Sequence, residues 1–409
     1  MNRNRVNKKR MGRARVLSRA AAGMLAAALC FQPMTALAGP AGDSSLTSSS
    51  SNAGPGGGSG SSNSGSTGSS GGSTSVSNGS VSAVTSGLGV YRVTENEGIG
   101  AIARGVDVSY WQQNVNWSQV ASDNVQFAML ATRFRGNVDP FFAMNAANAS
   151  QAGLRLGAYI YSYATSVEMA QQEADFVLNL IKDYPISFPV VFDAEDANTL
   201  GTLTQSQVSD VINAFCKRIQ DAGYYPMVYA NEYWIANKID MSKISYDIWV
   251  AKYQQKYTYS KTSMWQASNT GSVKGVNGNV DIDYLYKDYT QIIPGNTWRT
   301  IAGNRYYYQN HVMQKAAWIN DGQNWYYMNA AGNPSTGWLE LSGKKYYLEA
   351  DGHMITGWKT LDGGWRYFDA SGEQATGWRA VDGSWYFMAD NGLMQTGWLE
   401  TGGKKYYLN

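Results

Sequence analysis

Pro189-Val190-Val191-Phe192-Asp193-Ala194-Glu195-Asp196 is a short apolar run that leads straight into three acids. Its β-branched and aromatic residues, bounded by a proline, predict a buried strand. Acids at the exit of such a strand lie where β/α folds place their chemistry. Side chains at i and i+2 of an extended segment share a face, so Asp193 and Glu195 point the same way with Cα atoms ~7 Å apart. Acids at strand exits also cap turns, and that is the role expected of Asp196. For Asp193 and Glu195 a catalytic role is expected, because adjacent carboxylates behind an apolar strand are costly neighbours. Held close, they push one pKa upward, so one keeps a proton to donate while the other stays charged.

The sequence around this strand repeats the same grammar. Short runs rich in Val, Ile, Phe and Tyr at 105–109, 127–132, 156–161, 189–193, 226–230, 247–251, 263–266 and 280–284 predict eight strands. Apolar spacings of three and four predict helices at 141–152, 167–182 and 205–222, the last capped by Thr204. Connections shorten after Ala230. An α/β fold follows, an irregular β/α barrel over 101–289 with eight strands and fewer helices. Asp107 at the end of the first strand and Asp281 and Asp283 in the last join Asp193 and Glu195 as candidates to converge on one rim.

Beyond the barrel, Trp298, Trp318, Trp338, Trp358, Trp378 and Trp398 recur every twenty residues. Thr-Gly precedes four of them, glycines follow, and clusters such as Trp325-Tyr326-Tyr327 and Trp385-Tyr386-Phe387 come next. Each unit reads as a β-hairpin that cannot stand alone, so 297–409 is expected to form an all-β solenoid of stacked hairpins. Aromatic cages suit a quaternary ammonium through cation–π attraction, and flat rings suit sugars equally. Trp325, Trp338, Trp358, Trp365, Trp378 and Trp385 are the candidate binding rings. Arg305, Lys345 and Lys405 stand where other units have a second tryptophan, so complete cages are expected at only some junctions.

The first 38 residues hold eight Lys or Arg and no acid, then an uncharged run ending in Ala36-Leu37-Ala38, which predicts a secretory signal peptide over 1–38. A Ser/Gly-rich leader over 39–100 is expected to be disordered. Setting aside the eight early basic residues leaves 25 basic against 31 acidic ones, which argues against nucleic acid as a partner. No second apolar run predicts a membrane span once the signal is cleaved. Of two cysteines, Cys30 falls in the signal, leaving Cys216 as a buried free thiol rather than half of a bridge.

His311 and His353 are the only histidines and both lie late in the chain. The barrel therefore lacks the means for histidine-ligated zinc or for a Ser-His or Cys-His nucleophile. Neither a metal nor a cofactor is expected. Acid/base work must fall to carboxylates, and glycoside hydrolysis uses such a pair: one protonates the leaving oxygen, the other steadies the oxocarbenium-like centre.

The barrel resembles glycoside hydrolase family 25, the lysozymes of the Chalaropsis type. The likeness rests on Gly105-Val106-Asp107-Val108-Ser109 with Trp111-Gln112, Phe192-Asp193-Ala194-Glu195, Val228-Tyr229-Ala230-Asn231, Trp249-Val250-Ala251-Lys252-Tyr253, Trp265-Gln266 and Val280-Asp281-Ile282-Asp283, in that order. The resemblance implies cleavage of the β-1,4 bond after N-acetylmuramic acid in peptidoglycan. It implies Glu195 as proton donor, Asp193 as the partner that assists attack, and Asp107 and Asp281 as further active-site acids. Asp193 either attacks directly or orients the substrate's 2-acetamido group. Tyr110, Tyr161, Tyr229, Trp249, Trp265 and Asp283 are the candidate substrate-binding residues. One departure is Ala131-Thr132-Arg133-Phe134, where many members have a Lys-Ala-Thr run.

The repeats resemble choline-binding cell-wall repeats, which implies a wall polymer as their partner, a choline-substituted teichoic acid or a polysaccharide. Together these expectations describe a secreted, extracellular or wall-associated muramidase acting on peptidoglycan glycan strands. The alternative is a surface glycan-binding or adhesion protein whose barrel has lost catalysis, against which the presence of all four acids speaks.

Overall fold

The computed structural model describes residues 82–93, 98–253 and 255–409. The expected signal peptide and most of the expected leader lie outside the described residues. Eight strands close into a barrel: β1 (Ala103–Val108), β2 (Phe127–Ala131), β3 (Arg155–Tyr161), β4 (Ile186–Asp193), β5 (Pro226–Asn231), β6 (Asp247–Ala251), β7 (Thr262–Gly271) and β8 (Val280–Leu285). Neighbours pair in parallel except around β8, which runs antiparallel to both β7 and β1. That reversal sets the depth of its acids. Asp281, near the start of β8, pairs with Asp107 near the end of β1, while Asp283 pairs with Gly105 one level down.

Alternation along the strands separates two cores. Phe127, Met129, Val191, Met227, Trp249, Met264 and Leu285 fill the barrel interior. Val106, Leu130, Val190, Phe192, Val228 and Val250 face outward to the helices. Each such fully buried side chain contributes roughly 1.5–3 kcal/mol of transfer free energy. The interior is tight enough to dictate glycine: a Cβ on Gly105 would lie 2.2 Å from the Phe127 ring.

Five α-helices are described: α1 (Trp117–Ser122), α2 (Phe142–Gln151), α3 (Val167–Ile181), α4 (Gln205–Asp221) and α5 (Glu232–Asn237). In α4, Thr204 accepts from the Gln207 amide while the Gln207 side chain returns to Thr204, a capping box that fixes the start. Its stripe of Val208, Val211, Ile212, Phe215, Cys216 and Ile219 is buried. Cys216 is a free, fully buried thiol whose pKa burial pushes up. The helices α1 and α5, six residues each, are too short to show a period.

Composition predicts no order before Ala101, and here the structure differs. Ser82–Ser86 and Gly89–Val93 pair as an antiparallel hairpin, with Val84 opposite the fully buried Tyr91. The Asn124 side chain ties the backbone of Arg92 from both sides, at 3.0 and 2.7 Å. A strand alternation was present, hidden by its Ser, Thr and Gly content.

The C-terminal repeats are hairpins, each with its tryptophan on the first strand. The cross-strand partner lies nine residues on, as in Trp338 opposite Tyr347 and Trp358 opposite Tyr367. Ser342-Gly343, Asp362-Gly363 and Asp382-Gly383 all have positive φ, the two-residue turn whose twist matches a hairpin. The first hairpin, Thr297–Ile301 with Asn304–Gln309, is fixed to the barrel. Its Arg299, 1% exposed, lies between the rings of Tyr224 and Tyr308, at 4.0 and 4.2 Å. The Tyr308 hydroxyl donates to the Lys182 carbonyl at 2.7 Å, and Lys315 pairs with Asp183. These contacts involve the turns that enter β4 and β5, so the repeats attach at the barrel end opposite Asp193.

Candidate active site

Asp193 is the last residue of β4, and beyond it the Ala194 amide donates to the Tyr229 carbonyl at 2.9 Å. That bond holds the departing chain against β5, so Glu195, two residues on, stays above the barrel mouth. Asp107, Asp193, Glu195 and Asp281 together line one groove, with a cavity of about 410 Å³. Asp193 and Asp107 are each 5% exposed, Glu195 and Asp281 are half-buried, and Asp283 beneath them is fully buried. Among the described residues none of these five acids is in an ion pair.

Crowded, buried acids that lack an ion-pair partner are harder to ionise than free ones. Burial first, then Asp281 and Asp283, pushes Asp107 well above its usual range. Burial and then Glu195 do the same to Asp193. Glu195 is raised by burial, then by Asp281 and Asp196. Burial lifts Asp281 to about 6 against the opposing hydrogen bond with Asp107. Asp283 rises by burial and the charge of Asp281, although the Trp249 indole donates to it at 2.9 Å. One Asp193 carboxyl oxygen has no hydrogen-bond partner among the described residues and sits at the groove. The arrangement offers a protonated carboxyl beside a second carboxyl, the pair that acid-assisted cleavage of an acetal needs.

A relay of amide and phenols orients the acids from one side. Gln266 donates to Asp107 at 2.8 Å and accepts from the Tyr229 and Tyr253 hydroxyls at 2.8 and 2.9 Å. Gln266, Tyr253 and Tyr159 all line the groove, and sequence reasoning passed over them as individual site residues. The signal was there for Gln266: in β7 it alternates with Trp265 and therefore faces the interior.

The remaining expectations divide. Tyr161, Tyr229 and Trp249 line the groove. Tyr161 also donates to Asp196, which accepts from the Asn198 and Thr199 amides as a turn-former does and is held low by those bonds. Trp265 does not reach the groove. It is 1% exposed on the outward face of β7, packed against Tyr257 and Tyr284, with its indole donating to the Lys252 carbonyl. As a substrate-stacking residue it is corrected to outer core. Tyr110 stands behind the groove wall, stacked on Phe134 at 4.1 Å. The exposed Trp111 at its edge lines the groove instead. Where the Ala131-Thr132-Arg133-Phe134 run departs from the expected pattern, Arg133 pairs with Glu173 at 2.7 Å and covers the Tyr163 ring.

In the repeats, Trp325, Trp338, Trp365 and Trp385 are exposed while Trp358 and Trp378 are half-buried. Each tryptophan from Trp298 to Trp378 meets a ring of the following hairpin. His353 is half-buried, and its Nδ1 contacts Asp351 at 2.5 Å beside the turn. Among the described residues no group of three or more His, Cys, Asp or Glu side chains is arranged to hold a metal ion.

Residues 106–276 match the family model described as glycosyl hydrolases family 25. Residues 335–376 and 375–409 match the choline-binding repeat, and 317–333 a putative cell wall binding repeat. The chain is 31% identical over 189 residues to the uncharacterized protein YegX of Escherichia coli O157:H7, covering 44% of this chain and 68% of that protein. It is 30% identical over 195 residues to lysozyme M1 of Streptomyces globisporus, covering 44% of this chain and 66% of the relative. Among solved structures, the CTP1L endolysin is 25% identical over 47% of this chain and 69% of that one, with a TM-score of 0.41.

Proposed function

Because the chain belongs to glycosyl hydrolase family 25 and carries choline-binding repeats behind its barrel, we propose that it cuts peptidoglycan at the β-1,4 bond between N-acetylmuramic acid and N-acetylglucosamine. The likeness to a lysozyme supports this reading. The observation that carries it is the groove in which Asp193 and Glu195 stand with Asp107 and Asp281, none of the four in an ion pair among the described residues. Glu195, half-buried and held toward its protonated form, gives its proton to the leaving oxygen. Asp193, one step deeper, either attacks the anomeric carbon or holds the 2-acetamido group that does so, and the configuration is retained by both routes. Asp107 and Asp281 set the charge around the pair, and Tyr161, Tyr229 and Trp249 offer the sugar-facing walls.

The repeats hold the enzyme on a wall polymer bearing choline, such as a substituted teichoic acid or a polysaccharide. Tethering raises the local concentration of glycan without altering the chemistry. The protein acts outside the cytoplasm, exported by the segment over 1–38. Mass spectrometry of muropeptides after digestion of purified peptidoglycan tests the bond assignment. Fragments ending in reducing N-acetylmuramic acid are expected. Fragments ending in reducing N-acetylglucosamine, or freed stem peptides, would contradict it, and no release at all would favour a binding protein without catalysis.

A further inference from the structure

Of five hairpin junctions, three follow one register and two break it. In the regular form, the tryptophan at position i has a second tryptophan at i+7 and receives a tyrosine at i+28 from the next hairpin. Trp358 meets Trp365 at 6.3 Å and Tyr386 at 4.7 Å, both near perpendicular. Trp378 repeats this with Trp385 at 6.4 Å and Tyr406 at 4.8 Å. Trp318 meets Tyr346 at 5.0 Å and has the half-exposed Trp325 at i+7.

At Trp298 position i+7 is Arg305, and its guanidinium lies 4.2 Å from the indole centroid, within the ~6 Å reach of a cation–π contact. At Trp338 neither the second tryptophan nor the tyrosine is present, and the ring it meets from the next hairpin is Phe368 at i+30, 5.9 Å away. Lys345 stands at i+7, and the tyrosine at i+28 is replaced by Arg366, whose guanidinium lies 5.0 Å from the Trp338 centroid. Arg366 is not a loose surface chain. It is 6% exposed, paired with Asp362 at 3.2 Å, and donates to the Asn391 carbonyl. The Trp338 indole donates to the same Asp362 carboxylate at 3.3 Å. The indole face that would meet a ligand cation therefore already carries one, with its own anion and backbone acceptor.

We propose that Arg305 and Arg366 are resident cations that close the Trp298 and Trp338 junctions, so that the module takes quaternary ammonium groups only at Trp318, Trp358 and Trp378. An incoming ammonium at a closed junction must displace a like charge from the ring, and at Trp338 it must also break the Asp362 pair. The open junctions ask nothing of this kind. The closed pair alternates with open ones at the barrel-proximal end, so ligand is gathered toward the far end of the repeats. This inference rests on the reading that the repeats bind choline.

Isothermal titration of the full-length protein with choline chloride counts the sites. Three per chain are expected for the wild type, two for Trp365→Ala, and four for Arg305→Trp. The double variant Lys345→Trp/Arg366→Tyr, which restores both rings, should also reach four, with folding checked by near-UV circular dichroism. Five sites in the wild type, or three in both ring-restoring variants when folded, would overturn the closure while leaving choline binding intact. A wild type that takes up no choline would overturn the underlying reading and the closure with it.

Discussion

Asp107 and Asp281 face each other on the antiparallel rung that joins the first and last barrel strands. Closure of the barrel is what makes them neighbours, and the charge of Asp281 raises the cost of ionising Asp107, Asp283 and Glu195. The acids are thus assembled against the preference of the folded chain.

That cost has a sign and a window. The Asp281 pKa rises from its ordinary value to about 6 on folding. Below both values the two states are equally protonated. As pH climbs toward 6 the unfolded chain releases its proton first, so stability is lost through this range and stays lost above it. Asp281→Asn should therefore stabilise the protein at pH 7 by about 1–2 kcal/mol, discounted for partial solvation, and lower its activity. Denaturant melts at pH 7 and pH 3.5 check it, since the gain should vanish at the lower pH.

Asp281 also holds Glu195 up, second only to burial. The alkaline limb of the pH–rate profile should lie above the ordinary glutamic range in the wild type. Residual activity of Asp281→Asn should show that limb displaced to lower pH. An unmoved limb would remove Glu195 as the group being titrated.

Gln266 satisfies three polar neighbours at once. Gln266→Leu keeps the volume but leaves Asp107 and the Tyr229 and Tyr253 hydroxyls unmatched. Leaving such buried groups unpaired costs about 1–3 kcal/mol. A loss of stability together with a fall in kcat greater than any rise in KM is expected, measured by thermal melts and glycan turnover. Gln266→Glu would add a fifth acid to the groove and should be worse.

Gly105→Ala tests the packing beneath the site. The new methyl would press on the Phe127 ring, and overpacking of this kind costs about 1–3 kcal/mol. The melting temperature should drop by several degrees, with activity at low temperature reduced because Asp107 lies two residues away.

Much of this was written in the sequence. The apolar run into Asp193 and Glu195 placed both at a strand exit, and the eight strands and the hairpin period were readable from alternation and turn residues. What escaped notice depends on three-dimensional closure. Trp265 looked like a sugar platform until its neighbour Gln266 took the inward face. Tyr110 and Trp111 exchange roles because a hairpin at Arg133–Phe134 covers one ring and leaves the other. Arg366 reads as an ordinary surface cation until the next hairpin stacks it on Trp338.

The central claim is that Glu195 is the acid that cleaves the glycan. Release of reducing ends from purified peptidoglycan by the wild type and by Glu195→Gln tests it directly. Loss of a general acid should slow the variant by about 10²–10⁴-fold with wall binding unchanged. Equal rates for the two proteins, fast or slow, would contradict the account.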